Sequence, residues 1–401
     1  MPSEPWRRNQ LAVLIAVFTS FLGFSFVIPF LPLYIRELGV TDLGQAAALA
    51  GITFGISPLL SGILAPFWGM IADRHGMKII VQRALISFAV LNYLMSLVGD
   101  PYQLLALRAC IGLLGGFGPM LAALVTVGAP QQEVGPAIGK LQATQILASA
   151  VGPLIGGIIA DTLGIRVSFV LTSALCLISL LLITLLYRQE KVDQTVRQGK
   201  GRLSFGALLS LPGFVPLLLV LLLAQIIDRG FGPVIPLFIA ELDPNVPIAS
   251  TAGLVFSAGS FVSALAASQV GRLTNRFDAR LLLPISLVIG LLATAPLIFV
   301  NQIWELFAVR LLFGVAVGTT ATLAFAAAAR VVPVSSRGTA FGFLGSATSM
   351  ATAFGPMGAG ALAAFGLRYV FVADTLIYIL VVAIGIFIYL RPPKGSATDS
   401  A

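Results

Sequence analysis

Apolar stretches of bilayer-crossing length follow one another along almost the whole chain, separated by short polar loops. A helix needs about 20 apolar residues to cross the hydrocarbon layer. The pattern predicts twelve such spans, at roughly 11–35, 47–70, 79–99, 102–126, 137–160, 167–187, 212–240, 249–270, 281–300, 303–328, 339–362 and 369–390. The strict alternation that marks the strands of a membrane barrel is absent. The first stretch is too long for the apolar core of a signal peptide and reads as a retained span.

The chain also repeats itself. Gly69-Met70-Ile71-Ala72-Asp73-Arg74 lines up with Gly271-Arg272-Leu273-Thr274-Asn275-Arg276. Arg108 with Gly112 lines up with Arg310 and Gly314, Gly152-Pro153 with Gly355-Pro356, and Gly164-Ile165-Arg166 with Gly366-Leu367-Arg368. Pro29 and Pro32 match Pro233 and Pro236. Each pair keeps nearly the same separation, so the chain reads as a tandem duplication. Two pseudo-symmetric halves in a membrane point to a transporter with its site between them. The expected division is a six-helix bundle over 1–187, a linker over 188–205 and a second six-helix bundle over 206–401.

Composition agrees: 58% of residues are hydrophobic and only 10% are charged. The net charge of +8 does not suggest a nucleic-acid partner, because the basic residues sit in short loops between spans. Both cysteines, Cys110 and Cys176, fall inside apolar stretches, which argues against a disulfide framework or a metal site. Basic residues crowd alternate loops: Arg7 and Arg8, then Arg74, Lys78 and Arg83, then Arg188 to Arg202, then Arg272, Arg276 and Arg280, then Arg330 and Arg337, then Arg391 and Lys394. By the positive-inside bias these loops and both termini are cytoplasmic. The expected location is the cell's inner membrane, crossed many times.

Four sequence patterns, in order, resemble those of the major facilitator superfamily. The loop after span two carries Gly69, Asp73, Arg74, Gly76 and Lys78, similar to the family's Gly-x-x-x-Asp-Arg-x-Gly-x-Lys, with Met77 at a usually basic position. Span four carries Arg108 with Gly112. Span five carries Gly139, Ala148, Gly152, Pro153, Gly156 and Gly157, close to the pattern of drug/proton antiporters and departing from it only at Ala148. Span one ends Leu22-Gly23 and then Pro29-Phe30-Leu31-Pro32, like the same twelve-span branch. The resemblance implies an all-helical fold of two six-helix bundles. It implies export of small lipophilic compounds by proton antiport, as in multidrug efflux.

The resemblance also implies roles. Asp73 would dock on the start of span eleven near Gly338 and latch one of two access states. An Asp can accept from the free N–H groups of a helix start and favours that dipole end. Asn275 stands at the matching place in the second half, so the latch is one-sided. Arg108 and Arg310 lie well inside spans, where an Arg costs about 2.5–3.5 kcal/mol on insertion scales. They either face a central cavity, with Arg108 in the family's coupling position, or pair with backbone carbonyls. Asp228 in span seven and Asp374 in span twelve are the buried acids. Ionisable groups inside spans mark ion and proton routes, so Asp228 and Asp374 join Arg108 as candidate proton-coupling residues. A structural salt bridge is the rival reading of Asp228, and a structural role that of Asp374. Gly152-Pro153-x-x-Gly156-Gly157 would bend span five, or simply let another helix come close.

Candidate substrate-binding residues are Phe24, Gln145, Gln225, Phe231, Phe256 and Arg310. A wall rich in phenylalanine and poor in acids suits an amphiphilic or lipophilic ligand. No Walker A sequence, Gly-x-Ser-x-Gly or metal-spaced His cluster appears, so the expectation is a non-enzyme without cofactor or metal, driven by the proton gradient. The expected partners are a small-molecule substrate, protons and the lipid bilayer, and the expected state is a monomer. A transporter of one metabolite, such as a sugar or siderophore, is the alternative. A non-transporting receptor on the same scaffold is more remote, because the loops are too short for a signalling domain.

Overall fold

The computed structural model describes residues 5–115, 118–126, 130, 133–187, 210–211, 213–274, 276–277, 279–332 and 337–390. The expected linker at 188–205 therefore lies outside the described residues. Span one is helix α1 (Pro5–Val27), a 3-10 turn (Ile28–Phe30) and α2 (Leu31–Glu37). Prolines at the start of each new piece explain the break, since proline has no N–H to continue a helix. Spans two and three are α3 (Leu43–His75) and α4 (Met77–Ser96). Span four divides into α5 (Pro101–Leu114) and α6 (Gly118–Thr126). Then follow α7 (Val134–Leu163) and α8 (Ile165–Leu186). The second half runs α9 (Phe214–Leu242), α10 (Ile248–Leu273), α11 (Ala279–Thr294) with a 3-10 extension (Ala295–Phe299), α12 (Ile303–Val331), α13 (Arg337–Ala363) and α14 (Leu367–Leu390).

Ten of these helices are long and apolar enough to cross a membrane among the described residues. Two of the twelve expected spans fall short for physical reasons. Span four is cut after Leu114, and the freed carbonyls are bound by side chains instead. Arg83 donates to Leu114 O at 2.7 Å and Gly115 O at 2.9 Å, and the Trp68 indole donates to Leu113 O at 3.0 Å. Span eleven, α13, is built largely of Gly, Ala, Ser and Thr, which lowers its hydropathy. Those small residues let α3 and α9 approach its backbone.

The duplication is visible in the bonds. Arg166, just past the turn after α7, donates to Ser96 O and Val98 O at the end of span three. Arg368, just past the turn after α13, donates to Ile298 O and Val300 O at the end of span nine. Each guanidinium also lies over an aromatic ring, Tyr34 in one half and Phe238 in the other. In each turn the preceding glycine, Gly164 or Gly366, takes the positive φ that the tight connection requires.

Among the described residues, the halves meet at one end. On α3, Gly51, Gly55, Gly62 and Gly69 share a face. Gly51 packs on Pro356 O and Gly55 on Ala353 O of α13, leaving no room for a Cβ. Gly62 and Gly69, nearer the termini, would meet nothing within 4 Å. The second seam repeats this: Gly157 packs on Ala249 O and Gly253 on Pro153 O, while Gly139 and Gly271 are open. Gly342 and Gly345 of α13 are open as well. Among the described residues the structure is thus closed at the face opposite the termini and open at the face that carries them.

Gly253→Ala should lower stability by about 1–3 kcal/mol through overpacking against the Pro153 carbonyl. Gly271→Ala, on the same helix face but in open space, should leave it unchanged. Thermal unfolding of the detergent-solubilised protein compares the two.

Candidate functional site

The second half places four polar side chains together inside its bundle. Arg310 on α12 is 6% exposed, and its Nη1 lies 3.8 Å from Asp228 Oδ1 on α9. The guanidinium carbon sits 4.8 Å from the Phe231 ring centre, 5.1 Å from Phe313 and 5.8 Å from Phe256. Aromatic faces attract a cation, so the ring wall partly replaces the water that Arg310 has lost. The replacement is incomplete, because Arg310 Nε and Nη1 have no hydrogen-bond partner. At 3.8 Å the contact with Asp228 is an ion pair without a hydrogen bond.

Asp374 and Tyr378 complete the cluster from α14. Asp374 is 6% exposed with Oδ2 unpartnered, and the Tyr378 hydroxyl is buried and unpartnered too. Tyr378 lies within electrostatic reach of Asp228, Asp374 and Arg310. Its ring occupies the space beside Gly290 on α11, where any Cβ would collide with it. Sequence reasoning missed Tyr378 and Gly290. Tyr378 stands four residues after Asp374 and so shares its helix face, which was the available signal. Gln225, one turn before Asp228, is half-buried with Oε1 unpartnered.

Apart from the arginine, the first half is different at every matching place. Phe24 stands where Asp228 does, Phe88 where Gly290 does, Thr172 where Asp374 does, and Cys176 where Tyr378 does. Phe24 and Phe88 pack edge to face at 5.2 Å. Thr172 is satisfied by Gly23 O at 2.7 Å and Ser168 O at 2.8 Å. Arg108 on α5 is 7% exposed with Nε unpartnered, and its own carbonyl accepts from Ser57 Oγ at 2.6 Å. The two arginines match in sequence, yet Arg310 alone stands in an acid-bearing cluster of this kind.

The other expected residues fall in several places. Phe24, Gln145 and Phe256 are half-buried, with Phe256 against Arg310. Phe231, expected to touch substrate, is fully enclosed with its ring on Phe313 and Phe371. It belongs to the core and serves as a wall for Arg310. In the loop after span two, Gly76 ends α3 with φ +93° and donates to Ala72 O. Lys78 reaches back to Thr184 O and Tyr187 O at the end of α8, and Arg74 is exposed. Asp73 lies in the last turn of α3 and Gly338 in the first turn of α13, but their contacts lie outside the described residues.

The Gly-Pro motif of span five forms a junction of three helices. Gly152 packs on Ser25 and Gly156 on Phe26 of α1, while Gly157 packs on Ala249 of α10. The helix runs unbroken through Pro153, and the Leu154 amide donates to Ser257 Oγ on α10 at 3.0 Å. Close packing is therefore what the motif does in this access state.

Asp228→Asn and Arg310→Gln should each destabilise the fold, and together by less than their sum. A coupling of about 0.5–3 kcal/mol is expected for contacting residues. A double-mutant cycle on unfolding midpoints measures it.

The Major Facilitator Superfamily profile matches residues 13–250 and again residues 217–401. Multidrug resistance protein MdtG of Citrobacter koseri is 34% identical over 372 residues, covering 91% of each chain. MdtG of Serratia proteamaculans is 31% identical over 376 residues, 93% of this chain and 91% of that one. Among solved structures, a bacterial homolog of the human lysosomal transporter Spinster, in an inward-facing and unoccupied conformation, aligns with a TM-score of 0.78. It is 17% identical and covers 97% of this chain and 98% of that one. The nucleoside transporter NupG aligns at 0.74 with 13% identity, covering 96% and 100%. With two halves of matching construction, spans enough for a multi-pass membrane protein and a match along nearly its whole length, the chain belongs to the major facilitator superfamily.

Proposed function

We propose that this chain exports small lipophilic or amphiphilic compounds across the inner membrane in exchange for protons. Relatives named for multidrug resistance support the substrate class. The loose ion pair between Arg310 and Asp228 carries the coupling. Asp228 is 20% exposed, so water in the open cavity can reach it, whereas Arg310 is held by rings. A proton bound at Asp228 removes its charge and frees Arg310. The two protonation states therefore favour different packings of α9 against α12, and a ligand in the cavity favours one of them.

Alternating access follows from the two seams. The basic loops put the open face in the cytoplasm under the positive-inside bias, with both termini on that side. Substrate enters there, and closure of this face with opening of the other releases it outside. Protons move the opposite way through Asp228. Asp73 stabilises the state in which the cytoplasmic face is shut, and Arg108 offers a second buried charge from the first half. Phe24, Gln145, Gln225 and Phe256 would contact the transported compound, and no cofactor takes part.

The test is dye movement in proteoliposomes under an imposed pH gradient, with and without protonophore. Gradient-driven movement that the protonophore abolishes is the expected result. Its absence for a broad set of lipophilic dyes, from folded protein, would favour a single polar metabolite as substrate. Asp228→Asn should lower the gradient-driven rate about tenfold or more, equivalent to about 1.4 kcal/mol in the barrier, while dye binding in a fluorescence titration persists. Asp73→Ala should shift the access equilibrium toward the open cytoplasmic face, read from the accessibility of a cavity cysteine.

A further inference from the structure

We infer that Asp161 is the lock that holds the face opposite the termini shut. It stands in the last turn of α7, in the first half, and reaches across to the second half. One carboxylate oxygen accepts from Ser250 N at 2.6 Å and the other from Ala249 N at 3.2 Å. Both amides belong to the first turn of α10 (Ile248–Leu273), whose own cap position, Pro247, offers no side-chain bond. A helix start leaves its first N–H groups without intrahelical partners and favours negative charge. The second half therefore begins α10 with donors that are satisfied from the first half.

The matching seam has no such arrangement. Ala364 stands where Asp161 does, and α3, the mate of α10, caps itself through Asp42, which accepts from Gln45 N at 2.7 Å. The lock is therefore one-sided and separate from the glycine packing that both seams share. Asp161 also lines a cavity of about 730 Å³ between the halves, together with Arg36, Glu37 and Asn245. Water in that cavity can solvate the carboxylate and the two amides once they part, so the contact is breakable. Opening this face requires moving α7 away from α10, and that separates Asp161 from both amides.

The inference rests on the alternating-access reading and gives it a second, opposing element. Asp161 and Asp73 both lie in the first half. Each would engage the start of a second-half helix, α10 at one face and α13 at the other. Engagement of one excludes engagement of the other, so the two carboxylates define the two ends of the cycle.

The test measures the conformer ratio directly, without relying on transport. Tyr102 and Trp304 are exposed on the face opposite the termini, one in each half. Spin labels at Tyr102→Cys and Trp304→Cys, with Cys110 and Cys176 replaced by serine, report the separation of the halves there. Asp161→Ala should raise the ratio of open to closed outer face about two- to thirty-fold, the range of a helix N-cap. Asp161→Asn keeps an oxygen acceptor but loses the charge, and should shift the ratio in the same direction by less. Unchanged distance distributions in both variants, from protein that remains monodisperse, would overturn the assignment. Dye transport on the same preparations separates the two ideas: a shifted ratio with no proton-driven movement in any variant keeps the lock and removes the antiport reading.

Discussion

Backbone-to-backbone contact between the halves is the constraint on which the rest of the structure depends. Inside a bilayer, lipid tails are as apolar as leucine, so helices are not driven together by burying oily side chains. They hold by close approach, which needs small residues. Gly51 on Pro356 and Gly253 on Pro153 supply that approach at one end of two seams. Among the described residues that end alone is zipped, and the glycines toward the other end face open space. The Gly-Pro motif serves the same need from the other side, by letting α7 lie against α1 and α10 together.

Charge is then placed on a scaffold that is nearly symmetric. The arginine clamps at the loop ends make the same pair of carbonyl bonds in both halves, with Asn301 Oδ1 as a further acceptor in the second. The bundle interiors differ more. The second half carries an acid beside its arginine, a second acid and a tyrosine, and leaves several of their polar atoms without partners. Buried polar groups are normally satisfied, and those that are not mark stored strain, a chemical role or bound water. Arg108 Nε, Ser168 Oγ and the Nε and Nη1 of Arg83 lack hydrogen-bond partners in the first half too, so what sets the second half apart is the pair of acids and the phenol beside its arginine.

Much of this was legible in the chain. The spans, the duplication and the family patterns are written in local composition and spacing, which helices report directly. The two spans that fell short were also local: a Gly-Gly-Phe-Gly-Pro run after Leu114 and a span of small residues. What the chain did not disclose is contact across helices. Asp228 was visible as a buried acid, but its partner on α12 depends on how α9 and α12 turn toward each other. Phe231 looked like a ligand contact because span seven is expected to line the cavity and phenylalanine suits a lipophilic ligand, and only packing shows it enclosed. Asp161 was passed over because an Asp near the end of a span looks like an ordinary interfacial residue, and the helix start it meets lies 88 residues away.

The pocket that Gly290 leaves for Tyr378 ties two helices to one another's composition. At the equivalent places in the first half stand Phe88 and Cys176. One copy joins a residue without a side chain to a large ring, and the other joins a large ring to a small thiol. In sequence, the bulk lies on span twelve in one half and on span three in the other. At Gly290 no side chain can enter while Tyr378 keeps its place, since any Cβ would collide with the ring. The phenolic hydroxyl among the acids is therefore tied to a glycine on a different helix, and a side chain gained at one place has to be matched by a smaller residue at the other.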